Sequence, residues 1–391
     1  MEALIDNFKI FLIVMLLYLH IPFCHKICPY CSFYKHKPSA QAQMLAFVDA
    51  LLIEFDHRVE QHGLNIADFE TLYFGGGTPS LLSAKAIKTL MEGFAERLDF
   101  AQLDEISIET NPRTFDQAKA QLFADLGFGR ASLGIQSFHA KELAFLGRDH
   151  STDEAKQAAG YLQSAGLKTN LDLMFGLPNQ SLASWESSLE QVAMLNSTSL
   201  SCYHLTYEQN TPFYEPREKG LLRSNEILDE GFFTMADKYL TSLGYDHYET
   251  SNYAKSGCES IHNRGYWEGR DYLGLGPSAV STINEGDGFV RYENVSSTDI
   301  YIAQAELREF NPTKEILTQK DWEIERIALM LRTNTGIAKK HLGQVKEQAI
   351  QDIINQGYAY WRPDKQELES LTLKGKGKLL VDGIVEHLIS T

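Results

Sequence analysis

Tyr18-Leu-His20-Ile-Pro-Phe-Cys24-His-Lys-Ile-Cys28-Pro-Tyr30-Cys31-Ser-Phe33 is the stretch on which the reading of this 391-residue chain turns. It starts inside an apolar run, Met15 to His20, that reads as a buried strand, and it ends in three cysteines spaced Cys-x3-Cys-x2-Cys. No fourth cysteine lies nearby; Cys202 and Cys258 are distant and read as packing residues. Three thiolates can hold three irons of a cubane 4Fe–4S cluster and leave the fourth iron open. Ferredoxin-like clusters use four cysteines. A structural zinc also wants four ligands, and His25 would have to serve while directly following Cys24. The plain alternative is three unconnected buried thiols, since free cysteine behaves as a small hydrophobe. A disulfide scaffold fits poorly with an odd total of five cysteines in a long chain.

Length allows two domains, or one large domain with an appendage. A hydrophobic content of 43%, with 11% aromatics, indicates a well-filled core. The net charge is −16, and it is uneven. From Lys314 onward there are 12 basic and 11 acidic residues, so residues 1–313 carry about −17. A nucleic-acid partner would call for a basic footprint, and none is expected. Ile10 to Leu19 are ten apolar residues in a row, whereas a spanning helix needs about twenty. The leader holds Glu2, Asp6 and one Lys9, unlike the basic start of a signal peptide. Met15 is an alternative start, leaving residues 1–14 as an N-terminal extension. A cytoplasmic protein with reduced thiols is expected.

Six short apolar runs read as strands: Met15–His20, Thr71–Phe74, Glu105–Thr110, Arg130–Gln136, Thr169–Phe175 and Ser199–Thr206. Between them, 3.6-residue periodicity predicts helices over Gln43–Gly63, Ala84–Leu98, Asp116–Leu126, Asp153–Ala165 and Leu182–Leu195. Alternation of this kind means βαβ units and a parallel sheet. Six strands make an incomplete (β/α)6 barrel of the TIM type, with a doubly wound sheet as the competitor. The expected division is a barrel over 15–250, a connecting region over 251–312 and a small unit over 313–391.

A parallel strand covered on both faces should be almost wholly apolar. Here Tyr18 and His20 share a face, as do Ser107 and Glu109, and Asn170 and Asp172, while Gln136 ends the fourth strand. These polar residues lie toward strand C-terminal ends, where α/β folds place ligands. Any one of them could be a satisfied core group; four strands with the same placement point to a site. The second strand runs into Gly75-Gly76-Gly77-Thr78-Pro79. Consecutive glycines let backbone approach a ligand closely, yet the loop lacks the spacing of a dinucleotide fingerprint or a P-loop.

Taken together, these blocks resemble the radical-SAM superfamily, whose open iron chelates S-adenosylmethionine (SAM), and within it the oxygen-independent coproporphyrinogen oxidase group. The likeness rests on Tyr18-x-His20-x-Pro22-x-Cys24, Gly75-Gly-Gly-Thr-Pro79, Glu109-Thr-Asn111-Pro112, Ser132-Leu-Gly-Ile-Gln136-Ser-Phe138, Leu146-Gly-Arg148-x-His150 and Asp172-Leu-Met-Phe-Gly176-Leu-Pro178. It covers nearly the whole chain from Met15. The resemblance implies that Cys24, Cys28 and Cys31 ligate a 4Fe–4S cluster. It implies a SAM site made by Tyr18, Tyr30, Gly76, Gly77, Thr78, Glu109, Gln136, Arg148 and Asp172. Carboxylates can accept from ribose hydroxyls or the SAM amine, and Arg148 can pair with the SAM carboxylate.

Two departures separate the chain from the oxidases. They carry a further cysteine two residues after the third, where this sequence has Phe33, and a longer segment before the motif. In addition, His262-Asn263-Arg-Gly-Tyr266-Trp267 resembles the His-Asn-x-x-Tyr-Trp block of HemW-type heme chaperones. That likeness implies heme binding near His262, Asn263, Tyr266 and Trp267, with heme passed to acceptor heme proteins, the inner membrane being one candidate location. A homodimer is one candidate assembly, and the sequence leaves the oligomeric state open. Imidazole can ligate heme iron and aromatic rings can stack on the macrocycle. Cys258 and His20 are rival axial ligands, and a satisfied histidine in an aromatic corner is the bland alternative. Coproporphyrinogen dehydrogenase activity in porphyrin metabolism is the competing function, and whether the chain is an enzyme stays open. A radical-SAM enzyme acting on RNA is disfavoured by the acidity. After Asn311, helical patterns over Asp321–Leu331, Ile337–Leu342 and Lys346–Asn355 with a strand over Tyr358–Arg362 resemble a winged helix.

Overall fold

A computed structural model describes residues 14–223, 225–286, 288–363 and 369–390. Residues 1–13 of the expected extension lie outside the described residues. Six strands lie side by side and parallel: β1 (Met15–Ile21), β2 (Phe69–Gly76), β3 (Glu105–Thr110), β4 (Arg130–Gln136), β5 (Lys168–Phe175) and β6 (Ser199–His204). The connections carry α1 (Gln41–His62), α2 (Ala84–Ala95), α3 (Gln117–Asp125), α4 (Ala140–Phe145), α5 (Thr152–Ser164) and α6 (Leu182–Leu195). A doubly wound sheet reverses its strand order at a switch point. Here the order rises steadily from β1 to β6, which is the order of a β/α barrel. The barrel is open: β1 and β6 do not pair with each other.

Both open edges are extended by chain that follows β6. After α7 (Tyr214–Glu218) and α8 (Glu226–Ser242), β7 (Asp246–His247) and β8 (Asn252–Ala254) add antiparallel strands beside β6. A short helix, α9 (Ile261–Trp267), then leads to β9 (Asp271–Leu275), which pairs parallel with β1. β10 (Val280–Asn284), β11 (Phe289–Glu293), α10 (Thr298–Leu307) and β12 (Thr313–Leu317) follow, the strands all antiparallel. Residues 251–312 therefore extend the sheet at both ends.

Local sequence explains the helix boundaries. Ser151 and Glu154 form a capping box that opens α5, and Asp116 accepts from Lys119 N–H at the start of α3. Leucines and phenylalanines of the barrel strands pack against α1, α2, α5 and α6 in one core that reaches from Met15 to Phe310. A second core, from Ile327 to Leu388, belongs to the C-terminal part. That part contains α11 (Gln319–Met330), β13 (Ile337–Ala338), α12 (Glu347–Asn355), β14 (Ala359–Pro363), β15 (Glu369–Leu373), α13 (Lys376–Leu379) and α14 (Val381–Ser390). Its three strands form a separate sheet ordered β13–β15–β14, a small winged-helix-like arrangement. The helix expected over Ile337–Leu342 is instead β13 and a 3-10 turn over Lys339–His341. Gly336, at φ +67° and pressed against Leu371 O, turns the chain so that Ile337 pairs with Leu371. That partner is too distant in sequence for periodicity to register.

Candidate functional site

The barrel encloses a cavity of about 800 Å³ that runs from the cysteine loop, at the strand C-terminal ends, to α9 at the opposite end. At the mouth, the loop after β1 is fixed by backbone hydrogen bonds from Cys24 N to His36 O (2.9 Å) and from His36 N to Pro22 O (2.8 Å). Cys24, Cys28 and Cys31 all line the cavity, and none is in a disulfide. Thr78 Oγ1 donates to Cys24 Sγ at 3.5 Å, and Arg148 Nη1 donates to Cys28 Sγ at 3.6 Å. Burial pushes the Cys24 thiol up to about 11, and it raises Cys31 as well. Among the described residues, no three His, Cys, Asp or Glu side chains converge on a single ion. A cubane does not ask for that, because it takes each thiolate on a different iron. Hydrogen-bond donors aimed at the sulfurs are the surroundings such clusters use for tuning, so the donor set fits a 4Fe–4S cluster.

Behind the mouth, the inward residues of the strands form the wall. Tyr18 OH pairs with His20 Nδ1 at 3.1 Å, and His20 Nε2 with Tyr34 O at 2.8 Å, so both nitrogens of this buried ring are engaged. The glycine run is shaped by these side chains. Gly76 adopts φ +105°, and a Cβ there would lie 2.7 Å from the His20 ring. Glu109 accepts from Tyr73 OH (3.0 Å) on Oε1 and from Gly76 N–H (3.2 Å) on Oε2. Asp172 accepts from Ser132 Oγ (3.0 Å) and Asn170 Nδ2 (2.8 Å). Gln136, at φ 72°, accepts from Tyr203 OH.

Burial raises Glu109 to about 7, with the Asp172 charge adding to it. Burial likewise raises Asp172 to about 6, against hydrogen bonds from Ser201 and Ser132 and the pull of Arg148. Two desolvated carboxylates facing one cavity favour a cationic guest. The sulfonium and ammonium of SAM meet that requirement, and the wall fits this cofactor.

The floor is α9. Glu105, at the start of β3, caps its N-terminus by accepting from Ser260 Oγ (2.9 Å), Ile261 N (2.9 Å) and His262 N (3.4 Å). The same carboxylate pairs with Arg130 Nε at 3.2 Å, both side chains being at least nine-tenths buried. Arg130 also donates to Ser199 Oγ at 2.8 Å and to Cys258 O. His262 is 1% exposed. Its Nδ1 pairs with Thr71 Oγ1 at 2.7 Å, and its ring lies 4.7 Å from that of Tyr73 at 14°. Burial lowers it to about 3, so the imidazole is neutral. Nε2 is buried and has no partner.

The cavity brings together every residue expected for cluster and SAM, and also His262, Asn263 and Tyr266. Trp267 stands apart: its ring lies under the Arg332 guanidinium, 5.7 Å from the centroid, beside the C-terminal part. Cys258 does not line the cavity: its neighbours Gly257 and Glu259 line a separate recess, and its own contact with Arg130 is through its backbone carbonyl. Tyr73 and Tyr203 line the cavity but escaped the sequence reading, and Ser132, quoted there within a block, was given no role. Strand alternation could have found Tyr73, because Thr71, Tyr73 and Gly75 share the inward face of β2.

Comparison with known proteins agrees with this geometry. The chain matches the Radical SAM superfamily over residues 18–192. It is 40% identical to the heme chaperone HemW of Escherichia coli (strain K12) over 273 residues, which is 70% of this chain and 71% of that protein. It is 33% identical to the heme chaperone HemW of Haemophilus influenzae, covering 96% of this chain and 97% of that one. Among solved structures, coproporphyrinogen III oxidase (HemN) of Escherichia coli, described as a radical SAM enzyme, superposes with a TM-score of 0.77 at 25% identity, over 97% of this chain and 91% of that one. The chain belongs to the HemW family of the radical SAM superfamily.

Proposed function

We propose that this protein is a heme chaperone: it binds heme, a 4Fe–4S cluster and SAM, and passes the heme to acceptor heme proteins. The observation that carries the reading is one cavity with the cysteine triad at its mouth and the His262 motif at its floor, in a chain of the HemW family. Cys24, Cys28 and Cys31 would hold the cluster. Glu109 and Asp172 would hold the cationic end of SAM, with Tyr18, Tyr30, Gly76, Gly77, Thr78, Gln136 and Arg148 around it. When bound, cluster and SAM together supply access to radical chemistry. The chain's own part is to screen that chemistry from water and fix its charges.

His262 is the axial ligand we favour for heme, with Asn263 and Tyr266 beside it. Its imidazole is neutral, the form that binds iron, and Nε2 is uncommitted. His20 is a poorer donor because both of its nitrogens are engaged. Nε2 of His262 is covered in this conformation, so heme uptake requires the packing around it to open. Titrating heme into wild type and His262→Ala, read by the heme absorption spectrum, tests the assignment. An altered spectrum or weakened binding in the variant supports it; an unchanged spectrum removes His262 as the ligand.

A further inference from the structure

Tyr73 has no assigned role, yet it touches both the wall and the floor of the cavity. Its hydroxyl donates to Glu109 Oε1 at 3.0 Å. Gly76 N–H holds the other oxygen, so the carboxylate is gripped at both ends. The Tyr73 ring also lies near-parallel to that of Tyr18, at a centroid distance of 6.2 Å and 22°. Its face stacks on His262 at 4.7 Å, and His262 is pinned through Nδ1 to Thr71. The glycine that follows fits this arrangement alone: a Cβ on Gly75 would come within 2.8 Å of Tyr18, 2.9 Å of Tyr73 and 3.1 Å of Glu109 Oε1.

We propose that Tyr73 is a positioning residue for SAM: it sets the Glu109 carboxylate and is itself held in place by the stacked His262 of the floor. The proposal rests on the reading of Glu109 as a SAM contact. A carboxylate fixed by two donors presents its remaining lone pairs in one direction, which is preorganisation for a cationic guest. Without the hydroxyl, Oε1 loses its donor and the Gly76 N–H alone holds the carboxylate. The phenol stays a neutral donor throughout the working range, because burial raises its pKa well above the usual value, reinforced by the Glu109 charge. His262 thereby acts on the SAM site without reaching it. The ring-on-ring contact is the link, and it carries this role whether or not Nε2 meets iron.

The test uses full-length protein with its cluster reconstituted anaerobically. SAM affinity is read from the SAM-induced change in the electron paramagnetic resonance of the reduced cluster. Tyr73→Phe keeps the ring and the stack and removes only the hydroxyl. It is expected to weaken SAM binding roughly tenfold, the scale of one hydrogen bond to a charged acceptor, with iron content and heme binding unchanged. In a Glu109→Gln background the same substitution is expected to change SAM affinity less than twofold, because the hydroxyl then orients a neutral amide instead of the charged carboxylate that SAM meets. His262→Leu, which abolishes the stack, is expected to weaken SAM severalfold in heme-free protein. Equal SAM affinity in wild type and Tyr73→Phe overturns the assignment, as does a full tenfold effect in the Glu109→Gln background. If wild type itself shows no SAM-induced change, the SAM reading fails together with this one. SAM binding that is normal in wild type and insensitive to Tyr73 sinks the Tyr73 role only.

Discussion

The mouth and the floor of the cavity are built on opposite principles. At the mouth, three cysteines occupy a loop, two of them half-buried. The Thr78 hydroxyl reaches Cys24 and the Arg148 guanidinium reaches Cys28, each at the long range typical of sulfur. At the floor, one carboxylate serves a helix N-terminus and a buried guanidinium at once. His262 is locked by a hydrogen bond on one side and a stacked ring on the other. The mouth thus leaves its sulfur valences open for a guest, whereas the floor spends nearly all of its polar groups on itself. Among the described residues of α9, His262 Nε2 and Trp267 Nε1 are the exceptions. The contrast separates two ways of building a site: the floor fixes its polar groups by mutual hydrogen bonds and leaves the buried His262 Nε2 over, whereas the mouth leaves its sulfurs open.

Substitutions at the two ends should separate stability from cofactor content. The largest effect on stability is expected at the floor. Glu105→Ala strands the Arg130 charge in the interior and takes away the acceptor for Ser260 Oγ and the first N–H groups of α9, and loss of one partner of a buried pair costs about 3–5 kcal/mol. Urea unfolding of the cofactor-free protein measures it; a change below about 1 kcal/mol would mean that this network does not hold the floor. The wall should give an intermediate effect with a definite sign. Glu109, raised to about 7, and Asp172, raised to about 6, keep their protons in the folded state at pH values where the unfolded chain has released them. The cofactor-free protein therefore loses stability as pH rises from about 4.5 through about 7. Glu109→Gln should flatten that decline and leave the variant more stable than wild type at pH 8, by on the order of 1–3 kcal/mol. A variant that is less stable at pH 8 would show that the carboxylate is not strained there. The smallest effect on stability belongs to the mouth. Cys28→Ser should change unfolding of the cofactor-free protein by about 0.5 kcal/mol or less, while iron and labile sulfide assays show the cluster lost. A variant that keeps its full iron content would break the comparison.

The same contrast governs what could be read from sequence. The cysteine triad is a local pattern of eight residues, and its spacing carries the chemistry. The six barrel strands were also legible, two of them (Glu105–Thr110 and Arg130–Gln136) to the residue, since each is a buried apolar run between periodic helices. β7 to β12 were not. They are two to five residues long, and β9 pairs with β1 across the whole barrel, Met15 against Asp271. The floor was visible only through its resemblance to a known block, because its contacts are non-local: Thr71 meets His262 across 191 positions. Reading that block as one unit also misplaced its end. His262 and Tyr266 are four apart and share a helix face, whereas Trp267 lies about 100° further round and meets Arg332.

The central claim is that this cavity serves heme handling. The most direct measurement takes the protein with its cluster reconstituted anaerobically, supplies SAM and a reductant, and follows two reactions in parallel: transfer of bound heme to an apo-cytochrome, and conversion of coproporphyrinogen. Heme should appear in the cytochrome while coproporphyrinogen is left untouched. Formation of protoporphyrinogen, with no heme reaching the cytochrome, would contradict the account.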